Sequence, residues 1–238
     1  MGRYDRQLII HGFGAEGQEK LRNTSVAIAG AGGLGSVIAE YLAVAGTGRI
    51  RLIDSDSVEI TNLNRQILHT ENDIGRKKVD SAREKLKSLN PEIVVETVCE
   101  FIDERNATAL FDGCDMIVDA LDNVPARFAI NKASLHHSIP LFHGAISGFQ
   151  GRATTLIPGK TACLACLYRK IPAKTVTPVL GVTPAVIGSI QATEVIKYVT
   201  GLGNLLTTRI LLYDGLSMTF TEVSVQRHPG CPECSRCL

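Results

Sequence analysis

Val26-Ala27-Ile28-Ala29-Gly30-Ala31-Gly32-Gly33-Leu34-Gly35 is the stretch on which the fold turns. Its four apolar residues read as a short buried strand, and the glycines run into a helical apolar stretch, Ser36 to Ala45. A second strand pattern, Arg49-Ile50-Arg51-Leu52-Ile53, ends in Asp54, 19 residues beyond Gly35. Strand, glycine turn, helix, strand and acid in this order supply the context that separates a nucleotide-binding βαβ unit from a chance run of glycines. The glycines let backbone N–H groups approach a phosphate at a helix N-terminus, where the dipole favours negative charge. Asp54 can accept hydrogen bonds from a ribose 2′- and 3′-hydroxyl pair. These features specify a nucleotide and leave the reaction open; alone, they most often belong to NAD(P) dehydrogenases.

The alternation of elements continues outward. Arg76 to Leu89 reads as a helix with Val79, Ala82, Leu86 and Leu89 on one face, ended by Asn90-Pro91. Ile93 to Val98 is a third strand, and Met116-Ile117-Val118 a fourth that ends near Asp119 and Asp122. Asn123 to His136 reads as a helix, and Pro140-Leu141-Phe142 begins another strand. Thr183-Pro184 suits the N-cap and first turn of a long helix to about Val199, with Gly201 as its stop. Arg209 to Tyr213 and Met218 to Val225 flank Asp214-Gly215, a hairpin signal. Arg169 to Gly181 has no clear period and reads as a surface loop. The expected fold is α/β: a Rossmann-like, mostly parallel nucleotide-binding sheet with an antiparallel C-terminal extension. One domain over 1–238 is expected, with a short helical segment over 1–22, the core over 23–150, and the loop, long helix and antiparallel strands over 151–238.

Composition narrows the partners. Among 238 residues, 25 Lys+Arg stand against 24 Asp+Glu, a net charge of +1 that gives no global field for nucleic acid or an anionic membrane. No apolar run reaches the ~18 residues of a membrane span. The opening Met1-Gly2-Arg3-Tyr4-Asp5-Arg6 lacks a signal-peptide core. A cytoplasmic protein is expected.

Three features weigh nucleotidyl transfer against hydride transfer. Asp54 is followed by Asp56-Ser57-Val58-Glu59-Ile60-Thr61-Asn62-Leu63-Asn64-Arg65-Gln66, and Lys78 falls in the first turn of the next helix. A cation there opposes the helix dipole unless an anion offsets it. Arg65 and Lys78 together would neutralise a triphosphate and stabilise departing pyrophosphate. Asp122, beyond a strand's C-terminal end, lies where open α/β sheets bind ligands and is suited to Mg²⁺.

Gly30-Ala31-Gly32-Gly33-Leu34-Gly35, Asp54, Asn62-Leu63-Asn64-Arg65-Gln66, Lys78 and Asp122-Asn123 resemble the MoeB/ThiF/HesA family, relatives of the ubiquitin-activating enzymes. Arg3-Tyr4-Asp5-Arg6-Gln7 and Gly188-Ser189-Ile190-Gln191-Ala192 are similar too, so the likeness runs from about Arg3 to Cys234. The resemblance implies Mg-ATP-dependent adenylation of the C-terminal Gly-Gly carboxylate of a small ubiquitin-like sulfur-carrier protein, serving molybdopterin, thiamin or tRNA thiolation. It implies that Gly30, Gly32, Gly33, Gly35, Asp54, Asp56, Asn62, Asn64, Arg65, Gln66, Lys78, Asp122 and Asn123 line the nucleotide site. Asp54 resembles the ribose ligand; Asn62, Arg65 and Lys78 the triphosphate contacts; Asp122 the magnesium and catalytic carboxylate. Arg6 corresponds to an arginine that reaches across a homodimer into the partner's ATP site. Adenylation of another carboxylate, on a peptide or amino acid, and a non-catalytic nucleotide-binding subunit are the rival readings.

Cys163-Leu-Ala-Cys166 and Cys231-Pro-Glu-Cys234 each have zinc-knuckle spacing, although the 64 residues between Cys166 and Cys231 exceed the usual ribbon gap. Redox dithiols and two unrelated pairs of buried thiols are the alternatives. The resemblance implies a structural zinc on Cys163, Cys166, Cys231 and Cys234, pinning the tail; Cys237 is a competing ligand by position, but the family pattern favours Cys234. Many relatives carry a further cysteine, which forms a covalent carrier adduct, in the loop before the last long helix. No cysteine occurs here from Leu167 to Gly230, so adenylation without transthiolation is expected. Nor does a rhodanese-like extension follow Cys234, so an external sulfur donor is expected. Cys99 and Cys114 read as buried. His136, His137 and His143 read as packing residues, while His11 and His69 have no nameable partner.

Overall fold

The computed structural model describes residues 2–168 and 178–235. Five parallel strands form the centre: β1 (Ser25–Ala29), β2 (Arg49–Ile53), β3 (Val94–Val98), β4 (Met116–Asp119) and β5 (Leu141–Ser147). Then β6 (Gln150–Leu156), β7 (Arg209–Asp214) and β8 (Thr219–Ser224) extend the sheet antiparallel, in the order β3-β2-β1-β4-β5-β6-β7-β8. The reversal between β1 and β4 puts a crevice at the C-terminal ends of those strands, where open sheets of this kind bind ligands.

β1 is buried along its whole length, and its alternation divides the core. Val26 and Ile28 face one apolar cluster and Ala27 and Ala29 the other. The first is covered by α3 (Gly33–Ala45), α4 (Lys78–Leu89) and α8 (Val182–Thr200); the second by α5 (Ala107–Leu110), α6 (Val124–His137) and α7 (Leu164–Leu167). A parallel sheet covered by helices on both faces needs such continuous apolar strands. Gly188 lets α8 lie close to α3: a Cβ there would stand 3.1 Å from both the Leu34 carbonyl oxygen and Val37 Cβ.

The N-terminal segment forms α1 (Asp5–Leu8) and α2 (Gly14–Arg22). Arg3 donates to the Leu89 carbonyl, the Tyr4 hydroxyl accepts from Asn90, and Gln7 donates to the Ala45 carbonyl. These bonds fasten α1 to the C-terminal ends of α3 and α4.

Two helix starts and one strand stand out against the sequence reading. α4 begins at Lys78 rather than Arg76. α8 begins at Val182 with Gly181 as N-cap; the Thr183 hydroxyl instead donates to the Gly148 carbonyl, tying the helix to the β5–β6 turn. Gly201 stops the helix in the left-handed region, as expected. β6 has no signature in the sequence, because Gln150-Gly151-Arg152-Ala153-Thr154-Thr155 lacks an apolar alternation; Gly151 is there because a Cβ would stand 2.3 Å from Ile187. Most of the stretch 169–181 read as a loop, and Cys237, lie outside the described residues.

Candidate active site and four-cysteine cluster

The glycine turn joins β1 to α3 at the crevice. Gly30 has φ +104°, and a Cβ would stand 2.7 Å from the Ala120 carbonyl oxygen; at Gly35 it would stand 2.0 Å from the Gly30 carbonyl oxygen. Only glycine fits so tight a turn. Asp54 lies directly across from it. Its Oδ2 accepts from the Ala31 N–H at 2.7 Å and its Oδ1 from the Asp56 N–H at 2.8 Å, which leaves a lone pair on each oxygen.

Lys78 is only 5% exposed, at the first position of α4, and its Nζ donates to Asp56 Oδ2 at 2.8 Å. Asp56 is itself exposed, so a desolvated ammonium at a positive helix end has one weakly held counter-ion. An anionic ligand beside Lys78 would add to that counter-ion. Gln66 is buried beside Gly32, and its Oε1 has no hydrogen-bond partner among the described residues. An orphaned buried acceptor beside the glycine turn fits a bound donor better than an empty crevice.

The remaining expected residues divide. Arg65, half-buried, donates to the Thr61 carbonyl and to Asn64 Oδ1, so Asn64 serves the arginine. Asn62 Oδ1 accepts from the Glu59 N–H and closes the turn that carries Arg65. Asp122 is exposed in the loop after β4. Asn123 caps α6, its Oδ1 accepting from the Ala126 N–H at 2.8 Å. Arg6 is exposed on α1, beside the residues that bond to the C-terminal end of α3.

Sequence reasoning missed the support beneath the turn. His69 is buried, with Nε2 3.2 Å from the Ala31 carbonyl oxygen and Nδ1 2.9 Å from Ser81 Oγ. Burial holds the imidazole below its ordinary value despite the carbonyl, so near neutral pH it carries one proton, donated to Ala31. Ser81 in turn accepts from Lys85, which also pairs with buried Asp73. Gln191 of the late motif donates to the carbonyls of Asp119 and Phe142, joining β4 to β5 at the crevice. No local pattern announces any of these, since the partners are far apart in sequence.

Four thiols gather at the opposite margin of α6. Cys163 Sγ lies 3.9 Å from Cys166 Sγ and 3.6 Å from Cys231 Sγ, and Cys166 lies 3.6 Å from Cys234. All four sulfurs fall within 4.8 Å of one another. Tetrahedral metal–sulfur bonds of ~2.3 Å place sulfurs about 3.8 Å apart, so the set fits a closed structural site. Burial pushes the Cys163 thiol up, whereas for Cys231 the N–H groups of Cys234 and Glu233 outweigh burial and bring it down to about 7. Cys114 is buried as expected. Cys99 is not: it is exposed at the end of β3, its sulfur 3.9 Å from the Ser55 carbonyl oxygen. His143 and His69 are buried, and His137 Nε2 donates to the Thr108 carbonyl at 2.8 Å.

Comparison with known proteins accords with this geometry. The chain is 41% identical to the SAMP-activating enzyme E1 of Haloferax volcanii, over 98% of this chain and 88% of that protein. It is 37% identical to the molybdopterin-synthase adenylyltransferase of Escherichia coli, over 99% and 97%. Its fold is similar to the crystal structure of E. coli MccB with ATP, with a TM-score of 0.89 and 26% identity over 98% of this chain and 75% of that one. The ThiF family model matches residues 4–233. The chain belongs to the ThiF family.

Proposed function

We propose that this chain is an ATP-dependent adenylyltransferase that activates the C-terminal Gly-Gly carboxylate of a small ubiquitin-like sulfur carrier. The observation that carries the reading is the buried Lys78 ammonium with its single exposed counter-ion, set beside the glycine turn and the unpartnered Gln66 oxygen. The relatives' activities support the same class of reaction. In this reading the glycine turn and the α3 N-terminus hold phosphate, and Asp54 receives the ribose hydroxyls on its free lone pairs. Lys78 and Arg65 neutralise the triphosphate and the pyrophosphate that departs. Asn62, Asn64, Asp56 and Gln66 line or brace that site. Asn123 acts through its cap, keeping Asp122 in place.

The carrier's carboxylate oxygen attacks the α-phosphorus in line; the bond from that phosphorus to the bridging oxygen breaks, and pyrophosphate leaves with the electron pair. The protein needs only to align the reactants and neutralise charge. Magnesium, when bound, would screen the phosphate oxygens, and Asp122 would hold it. Arg6 is read as reaching into the ATP site of a partner protomer, a role that requires a homodimer. Zinc on Cys163, Cys166, Cys231 and Cys234 supplies a crosslink that fastens the C-terminal tail beside α6. We read 1–238 as one cytoplasmic adenylation domain whose adenylated carrier takes sulfur from an external donor, with AMP as the leaving group.

Mass spectrometry of the chain incubated with Mg-ATP and a Gly-Gly carrier tests this reading. A carrier acyl-adenylate without any reducible carrier–enzyme adduct is expected; an adduct would overturn the assignment of adenylation without transthiolation. Likeness to MccB favours a second reading, in which another carboxylate is the acceptor; adenylate on a free peptide and none on the carrier would decide for it.

A further inference from the structure

Beneath the loop that carries Asp122 runs a buried polar chain. Asp119, the last residue of β4, is fully buried, and its Oδ2 lies 2.6 Å from His143 Nδ1. Its Oδ1 accepts from the Leu121 N–H at 3.1 Å. Arg127 Nε stands 3.3 Å from Oδ2, and Arg127 Nη2 donates to the carbonyls of Leu121 and Gly144. The backbone leading into Asp122 is therefore held from below at both its N–H and its carbonyl. His143, buried on β5, meets the Tyr168 hydroxyl at 2.9 Å through Nε2, and the two rings pack edge to face. Tyr168 follows Cys166 by two residues, and the Arg152 guanidinium lies over its ring at 5.1 Å.

The proton positions follow from the surroundings. Burial holds His143 below its ordinary value even against Asp119, so it carries a single proton. Burial alone would raise the Asp119 carboxyl, but Arg127 and the His143 donor keep it below the usual range and ionised. An ionised carboxylate only accepts. His143 Nδ1–H therefore donates to Asp119, and Nε2 accepts from the Tyr168 O–H. Asp119, both His143 nitrogens and the Tyr168 hydroxyl are then hydrogen-bonded, while Arg127 Nε meets Asp119 as an ion pair only; a buried network paired in this way rigidifies what it touches.

We propose that His143 and Tyr168 are positioning residues for nucleotidyl transfer, fixing the Asp122 loop through Asp119 and anchoring it to the turn that carries Cys163 and Cys166. The inference rests on the adenylation reading. A carboxylate that must meet the phosphates gains from such support, because misplacement by about 1 Å can cost on the order of 100-fold in rate. His143→Asn retains an amide donor near the Nδ1 position but cannot reach Tyr168; Tyr168→Phe removes the hydroxyl alone.

The test measures ATP–pyrophosphate exchange with carrier and, separately, amide deuterium exchange over residues 119–123. Each variant is expected to lose about tenfold in maximal exchange rate, with KM for ATP and bound-metal content unchanged. The double variant should be no slower than the slower single one, since both cut one chain. Faster deuterium uptake over 119–123 should accompany both. Rates within twofold of wild type, additive losses, or unchanged deuterium uptake would overturn the proposal. If the wild-type chain exchanges no pyrophosphate with any carboxylate, the adenylation reading fails instead, and deuterium uptake still decides whether the chain braces the loop.

Discussion

Lys78 illustrates how a single residue can reveal a ligand. Burying an ammonium at a positive helix end against one exposed carboxylate is unfavourable unless a denser negative charge occupies the site. Lys78→Ala should lower kcat/KM for pyrophosphate exchange by roughly 100- to 1,000-fold, the scale of losing one charge-stabilising group. Its melting temperature should stay close to wild type; an unchanged rate would remove Lys78 from the phosphate site. Gly35 makes a steric demand. A methyl group there would meet the Gly30 carbonyl oxygen, so Gly35→Ala should displace the glycine turn and abolish nucleotide binding, measured by calorimetric titration with ATP. Asp73 makes a pH-dependent one. Burial would raise its carboxyl, but bonds from Lys85 and from the Thr70 N–H and hydroxyl prevail and hold it well below the usual carboxylate range. A depressed folded value means the stabilisation is present above the unfolded value of ~3.9 and is lost as pH falls below it. The melting-temperature gap between wild type and Asp73→Asn should accordingly be wide at pH 7 and narrow steadily as the pH falls below about 4 toward the depressed folded value; a gap independent of pH would contradict the assignment.

At the scale of elements, periodicity carried most of the information. β1, β2, β4, α3 and α6 were legible because their apolar residues follow one period and their ends carry glycine, aspartate or an asparagine cap. Asn123→Ala should cost about 1 kcal/mol in chemical denaturation through the lost α6 cap. It should also slow exchange by disturbing Asp122 next to it. β6 was invisible because glycine, arginine and threonine occupy a strand whose pairing is fixed by β5 and β7. The start of α8 was misplaced for a related reason: Thr183 looks like a cap, but a tertiary acceptor at Gly148 claims its hydroxyl. The braces under the active site were illegible altogether. Asp119, His143 and Tyr168 lie on three elements, as do Ala31, His69 and Ser81, and only the completed fold brings each set together.

The molecule as a whole has two centres on one sheet: the crevice at the strand ends and the thiol cluster beside α6. The motif residues of the first could be named in advance because glycine, aspartate and lysine have few other reasons to occur in that order. The second was legible only as two spacings, and the sheet shows that the pairs meet. Removing metal with a chelator, or replacing Cys231 with Ser, should lower the melting temperature by several degrees and abolish stoichiometric zinc; unchanged zinc by elemental analysis would exclude the four-thiol site. Because thiol ligands must ionise, zinc should be released as pH falls below about 6. The central claim, however, concerns the crevice. ATP–[³²P]pyrophosphate exchange with Mg²⁺, with and without a ubiquitin-like protein ending in Gly-Gly, tests it most directly. Exchange that requires the intact Gly-Gly tail and is lost with Asp122→Ala is the predicted result. No exchange with any such carrier, from zinc-loaded protein that binds ATP, would contradict it.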